Sequence, residues 1–308
     1  YREFKELKGV SSPVHWAMGM FDGLHLGHAG VIAAAVEGAA RDGGIAAVLT
    51  FRTHPLARVR PESVPPAIMA VDAEKFALME ELGVKMGLTL EFSSRLASMS
   101  PEEFIRELCA SCRVAEIAVG EDWHFGRGRA GDVETLRLLS GRYGFRVTAV
   151  PPILRDGERV SSTRIREAVR AADFLQAAGM LGRPYRWRGP VIHGRQLGRL
   201  LDYPTANMKP GCGLQPPHGV YAVRARVNGA EYGGVANLGV RPTVEGEGGE
   251  LLLETHLFGQ PGDIYGQEME VVPVRFLRAE TKFPSLEELK SQLALDAAQA
   301  AEVLRRDK

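Results

Sequence analysis

Gly19-Met20-Phe21-Asp22-Gly23-Leu24-His25-Leu26-Gly27-His28 is the stretch whose reading decides the fold. An apolar run at 14–18 leads into it with the pattern of a buried strand, and an Ala-rich segment at 29–41 leaves it with the pattern of a helix. The stretch is therefore a strand-to-helix turn. Such a turn aims unpaired backbone N–H groups and the positive end of a helix dipole at one point, where a phosphate would sit. Gly19, Gly23 and Gly27 let the chain bend and come close to a ligand, while His25 and His28, three apart, can share a face and add side-chain donors. A triphosphate fits such a turn. A lone HxGH is most often just a pair of solvated or capping histidines, but the ten-residue string is much rarer.

Moving outward, buried-strand patterns recur at 45–51, 86–90, 116–119 and 146–150, with helical patterns at 72–82, 101–111 and 133–143 between them. Ser100-Pro101-Glu102-Glu103 carries the marks of a helix start: Ser100 as cap, Pro101 in the first turn and Glu103 closing a capping box. Strands alternating with helices imply an α/β domain with a parallel sheet covered on both faces, and ligands bind beyond the carboxyl ends of its strands. The opening motif sits at such an end, and so does one more stretch. Gly120-Glu121-Asp122-Trp123-His124-Phe125-Gly126-Arg127-Gly128 follows the 116–119 strand, and a flat heteroaromatic ligand could stack on Trp123 or Phe125 while Asp122 supplies a polar contact. Arg159-Val160-Ser161-Ser162-Thr163-Arg164-Ile165-Arg166 sets three hydroxyls at the head of a helix between arginines suited to clamping phosphate oxygens.

Composition bounds the rest. The chain has 308 residues, room for two domains, with 45% hydrophobic and 25% charged residues, an ordinary globular mix. Lys plus Arg balance Asp plus Glu at 38 each, so no nucleic-acid partner bound through a general basic surface is indicated. No apolar run reaches the ~20 residues of a membrane span, the opening Tyr1-Arg2-Glu3-Phe4-Lys5 is not a signal peptide, and the expectation is a cytoplasmic protein without a membrane partner. Cys109 and Cys112 form a CxxC with no second pair, and Cys212 is distant, so the cysteines read as structural rather than as a zinc or redox site.

Near Gly182-Arg183-Pro184 the texture changes. Short alternating or β-branched runs at 191–193, 219–227, 231–237, 251–257 and 269–277, separated by Gly and Pro turns, predict a small antiparallel β-barrel. A helix over 285–305, opened by Ser285 and Glu288 as a capping box, closes the chain. The domains are expected at 1–182 and 183–308. Pro204-Thr205-Ala206-Asn207 would pass for a plain turn on its own. It keeps company, however, with Gly194-Arg195-Gln196-Leu197-Gly198-Arg199 before it and Asn237-Leu238-Gly239-Val240-Arg241-Pro242-Thr243 after it. Glu254-Thr255-His256 and Phe276-Leu277-Arg278-Ala279-Glu280-Thr281-Lys282-Phe283 then follow.

Taken together these motifs resemble, over nearly the full length, the bacterial bifunctional riboflavin kinase/FMN adenylyltransferase family. FDGxHxGH, GEDW in place of the usual GEDF, and SSTxIR match its Rossmann-like HxGH nucleotidyltransferase half, and PTAN with its neighbours matches the riboflavin kinase barrel. The resemblance implies riboflavin, ATP, FMN and FAD as ligands, with ATP as co-substrate and Mg²⁺ as cofactor. In the first half it implies that FMN phosphate attacks the α-phosphorus of ATP. The binding residues for ATP there are Gly19, Phe21, Asp22, Gly27, Arg159, Ser162, Thr163, Arg164 and Arg166; those for FMN are Asp122, Trp123 and Phe125; His25 and His28 are catalytic. In the second half it implies that Thr205 and Asn207 hold Mg²⁺ and phosphates, with Gly194 and Arg199 on ATP, Arg278 on riboflavin and Glu254 as general base. Departures are Thr53, where TFxPHP has its first proline, Lys85 and Glu91, and Asp202, where Gly is usual beside the phosphates. Asp202 opens the alternative of an adenylyltransferase with a weakened kinase module. A second alternative is a flavin-binding regulatory protein. A third, an adenylyltransferase acting on pantetheine phosphate or nicotinate mononucleotide, would share HxGH but has no reason to carry the barrel.

Overall fold

The structure is a computed structural model and describes all residues except 53–60, 70–71, 195–202, 212, 243–248, 260 and 308. Thr53, Arg199 and Asp202 lie outside the described residues. The chain forms two compact units, Tyr1–Ser162 and Thr163–Lys308.

In the first unit a 3-10 turn (Phe4–Gly9) precedes β1 (Val14–Met18), α1 (Leu26–Asp42), β2 (Ile45–Phe51) and α2 (Asp72–Glu81). β3 (Met86–Leu90), α3 (Ser94–Ser98), α4 (Pro101–Ser111), β4 (Val114–Gly120), α5 (Val133–Tyr143) and β5 (Arg146–Val150) follow. A small hairpin of β6 (Leu154–Arg155) and β7 (Glu158–Arg159) ends this part. The five long strands run parallel in the order β3-β2-β1-β4-β5. β1 is central because all five of its residues are buried, and alternation sorts them between two covers. Trp16 and Met18 pack with Leu49, Ile117 and Val119 against Phe104, Ile105 and Leu108 of α4 and Leu136 of α5. Ala17, with Val48 and Ala118, faces Ile32 and Ala35 of α1, and these small strand residues let the helix approach closely. Each large side chain buried in this way contributes about 1.5–3 kcal/mol.

Strand order reverses between β1 and β4, and in open α/β sheets the crevice at that switch point takes the ligand. The FDG turn leaves the carboxyl end of β1, and the Gly120–Trp123 segment leaves that of β4. At the opposite end lies a polar cluster no sequence pattern announced. Buried His15 Nδ1 lies 2.9 Å from Glu116 Oε2, and Glu116 also accepts from Thr148 Oγ1 at 2.5 Å and from Arg41 and Arg146 at 3.3 Å. Asp42 meets Arg146 and lies 3.5 Å from His15 Nε2. Burial pushes the Glu116 carboxyl up, but the hydrogen bonds from Thr148, His15 and Arg146 outweigh it and hold the group below its ordinary value.

The second unit takes in α6 (Ser162–Arg170) beyond its first residue and α7 (Phe174–Leu181). Then come β8 (Trp187–Pro190), β9 (Ala206–Met208), β10 (Gly219–Val227), β11 (Ala230–Pro242), β12 (Gly249–Leu257), β13 (Glu268–Arg278) and α8 (Leu286–Arg306). Compactness divides the chain ahead of the change in texture near Gly182, because α7 packs on barrel aromatics: Phe174 lies against Tyr185 and Tyr221, and Trp187 against both tyrosines. The six strands pair antiparallel in the order β8-β13-β10-β11-β12-β9. A bridge between Ile192 and Asn207, with the Ile192 N–H 2.8 Å from the Asn207 carbonyl, joins the two edges into a near-closed barrel. α8, capped by Ser285 on the Glu288 N–H, covers one face through Ala300 and Val303, packed with Val220, Ala222 and Val235. Arg278 of β13 grips buried Asp296 of α8 with Nε at 2.9 Å from Oδ1 and Nη2 at 2.7 Å from Oδ2. Among the described residues no helix is long and apolar enough to cross a membrane.

Candidate functional sites

The turn after β1 is a forced conformation. Phe21, Gly23 and Leu24 have φ of 51°, 79° and 43°, a region L side chains rarely enter, so surrounding contacts must hold the loop in place. Phe21 is buried in the core beside Leu24. The Asp22 carboxylate accepts the Ile68 N–H at 2.9 Å, and its carbonyl accepts Ser162 Oγ at 3.1 Å. The Met20 carbonyl accepts Thr50 Oγ1 at 3.1 Å and Lys75 Nζ at 2.9 Å. Asp22 is thus a brace of the turn, and Ser162 reaches the turn from the far end of the unit's sequence.

His25 caps α1 in place of the usual Ser, Thr or Asp: its Nδ1 accepts the His28 N–H at 3.3 Å. Because Nδ1 accepts, the ring proton of this tautomer sits on Nε2 and makes that atom a donor. The rings of His25 and His28 stack 3.6 Å apart, and Phe21 meets His28 edge-on. A Cβ at Gly27 would lie 3.1 Å from His25 Cε1, and one at Gly19 would lie 3.3 Å from the Phe21 ring, so both glycines give room to these rings. The result is two imidazoles at the N-terminus of a helix, beside the switch point, able to offer hydrogen bonds to an anion.

Across the switch point Asp122 pairs with Arg159 at 2.6 Å, and the Arg159 guanidinium holds its carboxyl below the usual range. The sequence assigned these two residues to different ligands, and the structure joins them. Trp123 and Phe125 stack 4.6 Å apart, but Phe125 is buried in the core against Phe104. Of the two rings, Trp123 is the one left partly exposed. Thr163, Arg164 and Arg166 continue α6 in the second unit, exposed, half-buried and buried respectively. Cys109 and Cys112 are free thiols at the end of α4, and burial pushes the Cys109 thiol up to about 11.

In the barrel, the three-residue strand β9 pairs with β12 so that Asn207 stands opposite Glu254, and β12 pairs with β11 so that Glu254 stands opposite Asn237. Directly opposed residues of antiparallel strands share a face, so Asn207, Glu254 and Asn237 form one polar row. Asn207 is 5% exposed, and its Nδ2 donates to the Thr205 carbonyl at 3.4 Å. A Cβ on Gly194 would collide with that amide, so Gly194 leaves the space Asn207 fills. His256 Nδ1 lies 2.9 Å from the Pro204 carbonyl, where the ring N–H would donate and pin the loop before β9. Arg278, expected on riboflavin, donates to Asp296 and to the Ala279 carbonyl at 3.0 Å and so ties α8 to the barrel. Arg199 lies outside the described residues.

Oxygen donors from Thr205 and Asn207 suit a hard cation such as Mg²⁺, which keeps waters and phosphate oxygens as its other ligands. Among the described residues no group of three His, Cys, Asp or Glu side chains could hold a metal. Sequence reasoning missed Lys75, which lies on an otherwise ordinary helix, and it passed over Asn237 and Glu280, although both stand inside motifs it singled out.

A nucleotide-type turn at a sheet switch point and a polar row on a separate barrel define a two-module transferase, and the comparisons narrow the class. A family model described as FAD synthetase matches residues 8–164, and one described as riboflavin kinase matches residues 181–304. The chain is 41% identical to the bifunctional riboflavin kinase/FMN adenylyltransferase of Pseudomonas fluorescens over 284 residues, covering 92% of this chain and 90% of that one. It is 36% identical to the enzyme of the same name from Escherichia coli K12, covering 92% and 91%. The chain belongs to the bifunctional riboflavin kinase/FMN adenylyltransferase family. A crystal structure described as a macrolide-efflux protein from Streptococcus pneumoniae has the same fold, with a TM-score of 0.81, 30% identity and 96% of each chain covered.

Proposed function

We propose that the chain makes FAD from riboflavin in two steps, one per module, with the functional division near residue 182. The barrel module transfers the γ-phosphoryl group of ATP to the riboflavin 5′-hydroxyl, giving FMN and ADP. Glu254 accepts the hydroxyl proton as the new O–P bond forms and the bond to the ADP oxygen breaks. Thr205 and Asn207 would hold Mg²⁺, which when bound neutralises phosphate charge. The α/β module then directs an FMN phosphate oxygen at the α-phosphorus of a second ATP, and pyrophosphate leaves. No acid or base is needed for a phosphate nucleophile, so catalysis rests on alignment and on stabilising the charge that grows on the transferred group. His25 and His28 donate to that group, with Ser162 beside the turn on the phosphates. Trp123 carries the flavin ring. The cytoplasm, where ATP is abundant, is the expected setting.

The observation that supports the kinase reading is the cross-strand pairing of Glu254 with Asn207, a carboxylate directly opposite an amide. The test is purified protein with riboflavin and MgATP, followed by chromatographic separation of riboflavin, FMN and FAD. FMN appearing first and FAD after it is the expected result. FAD formed from added FMN, but no FMN from riboflavin, would leave an adenylyltransferase with a silent kinase module. No turnover of either flavin would leave a binding protein.

A further inference from the structure

We propose that Glu280 is a positioning residue of the kinase site, holding the Asn237 amide beside Glu254. The inference rests on the reading of Glu254 as the base. Asn237 Nδ2 donates to Glu280 Oε1 at 3.1 Å, a contact that brings together residues 43 apart in the chain. Asn237 is in turn the direct cross-strand neighbour of Glu254, on the same face of the sheet.

Gly239 makes the seat for this contact. It lies two residues beyond Asn237 on the same strand face, where a side chain would stand next in line. The Glu280 carboxylate occupies that space: a Cβ on Gly239 would collide with Oε1 and lie 2.8 Å from Cδ and 3.1 Å from Oε2. Gly239 is not among the positive-φ glycines, so room for the carboxylate, not backbone freedom, explains the missing side chain. Seat, carboxylate and amide form one unit.

An amide tethered at one end has its plane fixed, which fixes the polar wall that Glu254 faces across the ladder. A base must lie within hydrogen-bond reach of the hydroxyl it deprotonates, and a misplacement of about 1 Å can cost on the order of 100-fold in rate. Glu280 acts on the reaction through Asn237 and carries no proton itself.

The test compares Glu280→Ala, Glu280→Gln and Gly239→Ala in the full chain, measuring kcat and KM for riboflavin phosphorylation and, on the same preparations, FMN adenylylation. Glu280→Ala should lower the kinase kcat about tenfold or more, with the KM for MgATP nearly unchanged and adenylylation intact. Glu280→Gln keeps an acceptor oxygen in place and should recover most of the rate. Gly239→Ala should match Glu280→Ala, and the double variant should be no worse than either. Wild-type kinase activity in Glu280→Ala, an equal loss in Glu280→Gln, or additive losses in the double variant would each overturn the proposal. Glu254→Gln separates the two levels: if it retains kinase activity, the reading of Glu254 falls and this proposal with it. If it abolishes activity while Glu280→Ala does not, only this proposal falls.

Discussion

Gly194 and Asn207 show how little space the barrel site leaves. The Asn207 amide fills the position a Cβ on Gly194 would take, so Gly194→Ala must turn the amide or push back the loop that carries residue 194. Either movement disturbs an oxygen donor expected on the metal. The variant should raise the Mg²⁺ concentration needed for half-maximal riboflavin phosphorylation several-fold while leaving FMN adenylylation alone, as a magnesium titration of both activities would show. Much at this scale was legible in the sequence. His25 and His28 stood out because they recur at a fixed spacing in a Gly-rich turn, whereas Thr205, Asn207 and Glu254 were named only through the family resemblance. What the sequence did not reveal was how side chains are spent. The ion pair of Arg278 with Asp296, buried on a helix, has no sign in the sequence. Asp122 and Arg159 each read as a ligand contact, and only folding brings them together as an ion pair.

Among the elements, the strands and helices of the first unit were readable because each buries a continuous apolar run or a periodic face. Residues 133–143 and 146–150 were expected as a helix and a strand, and they form as Val133–Tyr143 and Arg146–Val150. β9 was missed as a strand, since three residues carry no periodicity, and its pairing with β12 is what sets Asn207 opposite Glu254. The Glu116 cluster was equally hidden, because its members come from β1, α1, β4 and β5. Its pH behaviour follows from the sign of the shift. The folded carboxyl sits below its ordinary value of 4.5, so the stability it adds is present above that pH and fades as pH falls through the folded value. Glu116→Gln should therefore lower stability by roughly 1–3 kcal/mol at neutral pH. The gap in Tm to the wild type should close as pH falls below 4.5 and through the folded value. Thermal unfolding across pH measures both. At the other unit, Asp296→Ala strips a mostly buried Arg278 of its partner and should cost about 3 kcal/mol. The loss should appear as a lower midpoint for heat inactivation of the kinase, with heat inactivation of the adenylyltransferase unmoved.

For the whole molecule, each proposed site draws its described reacting groups from one compact unit: His25, His28 and Ser162 from the first, and Thr205, Asn207 and Glu254 from the second. Two crippled chains should therefore complement each other. A His28→Ala protein should stop at FMN and a Glu254→Gln protein should turn over only added FMN. Their mixture should make FAD from riboflavin after a lag set by FMN released to solution. Absence of FAD from the mixture would mean that FMN passes only within a chain. The division itself was half visible in the sequence: the change of texture near Gly182 marks where strands begin, whereas the packing of Phe174 on Tyr221 draws the preceding helix to the barrel.

The residue that closes the barrel seam is also a proposed metal ligand: Asn207 accepts the Ile192 amide through its main chain while its side chain serves the site. Breathing of the seam and loading of the site are then coupled through one residue, and ligation of Asn207 should slow deuterium uptake at the Ile192 amide. That single hydrogen becomes an occupancy gauge, readable by exchange mass spectrometry with MgADP added or withheld.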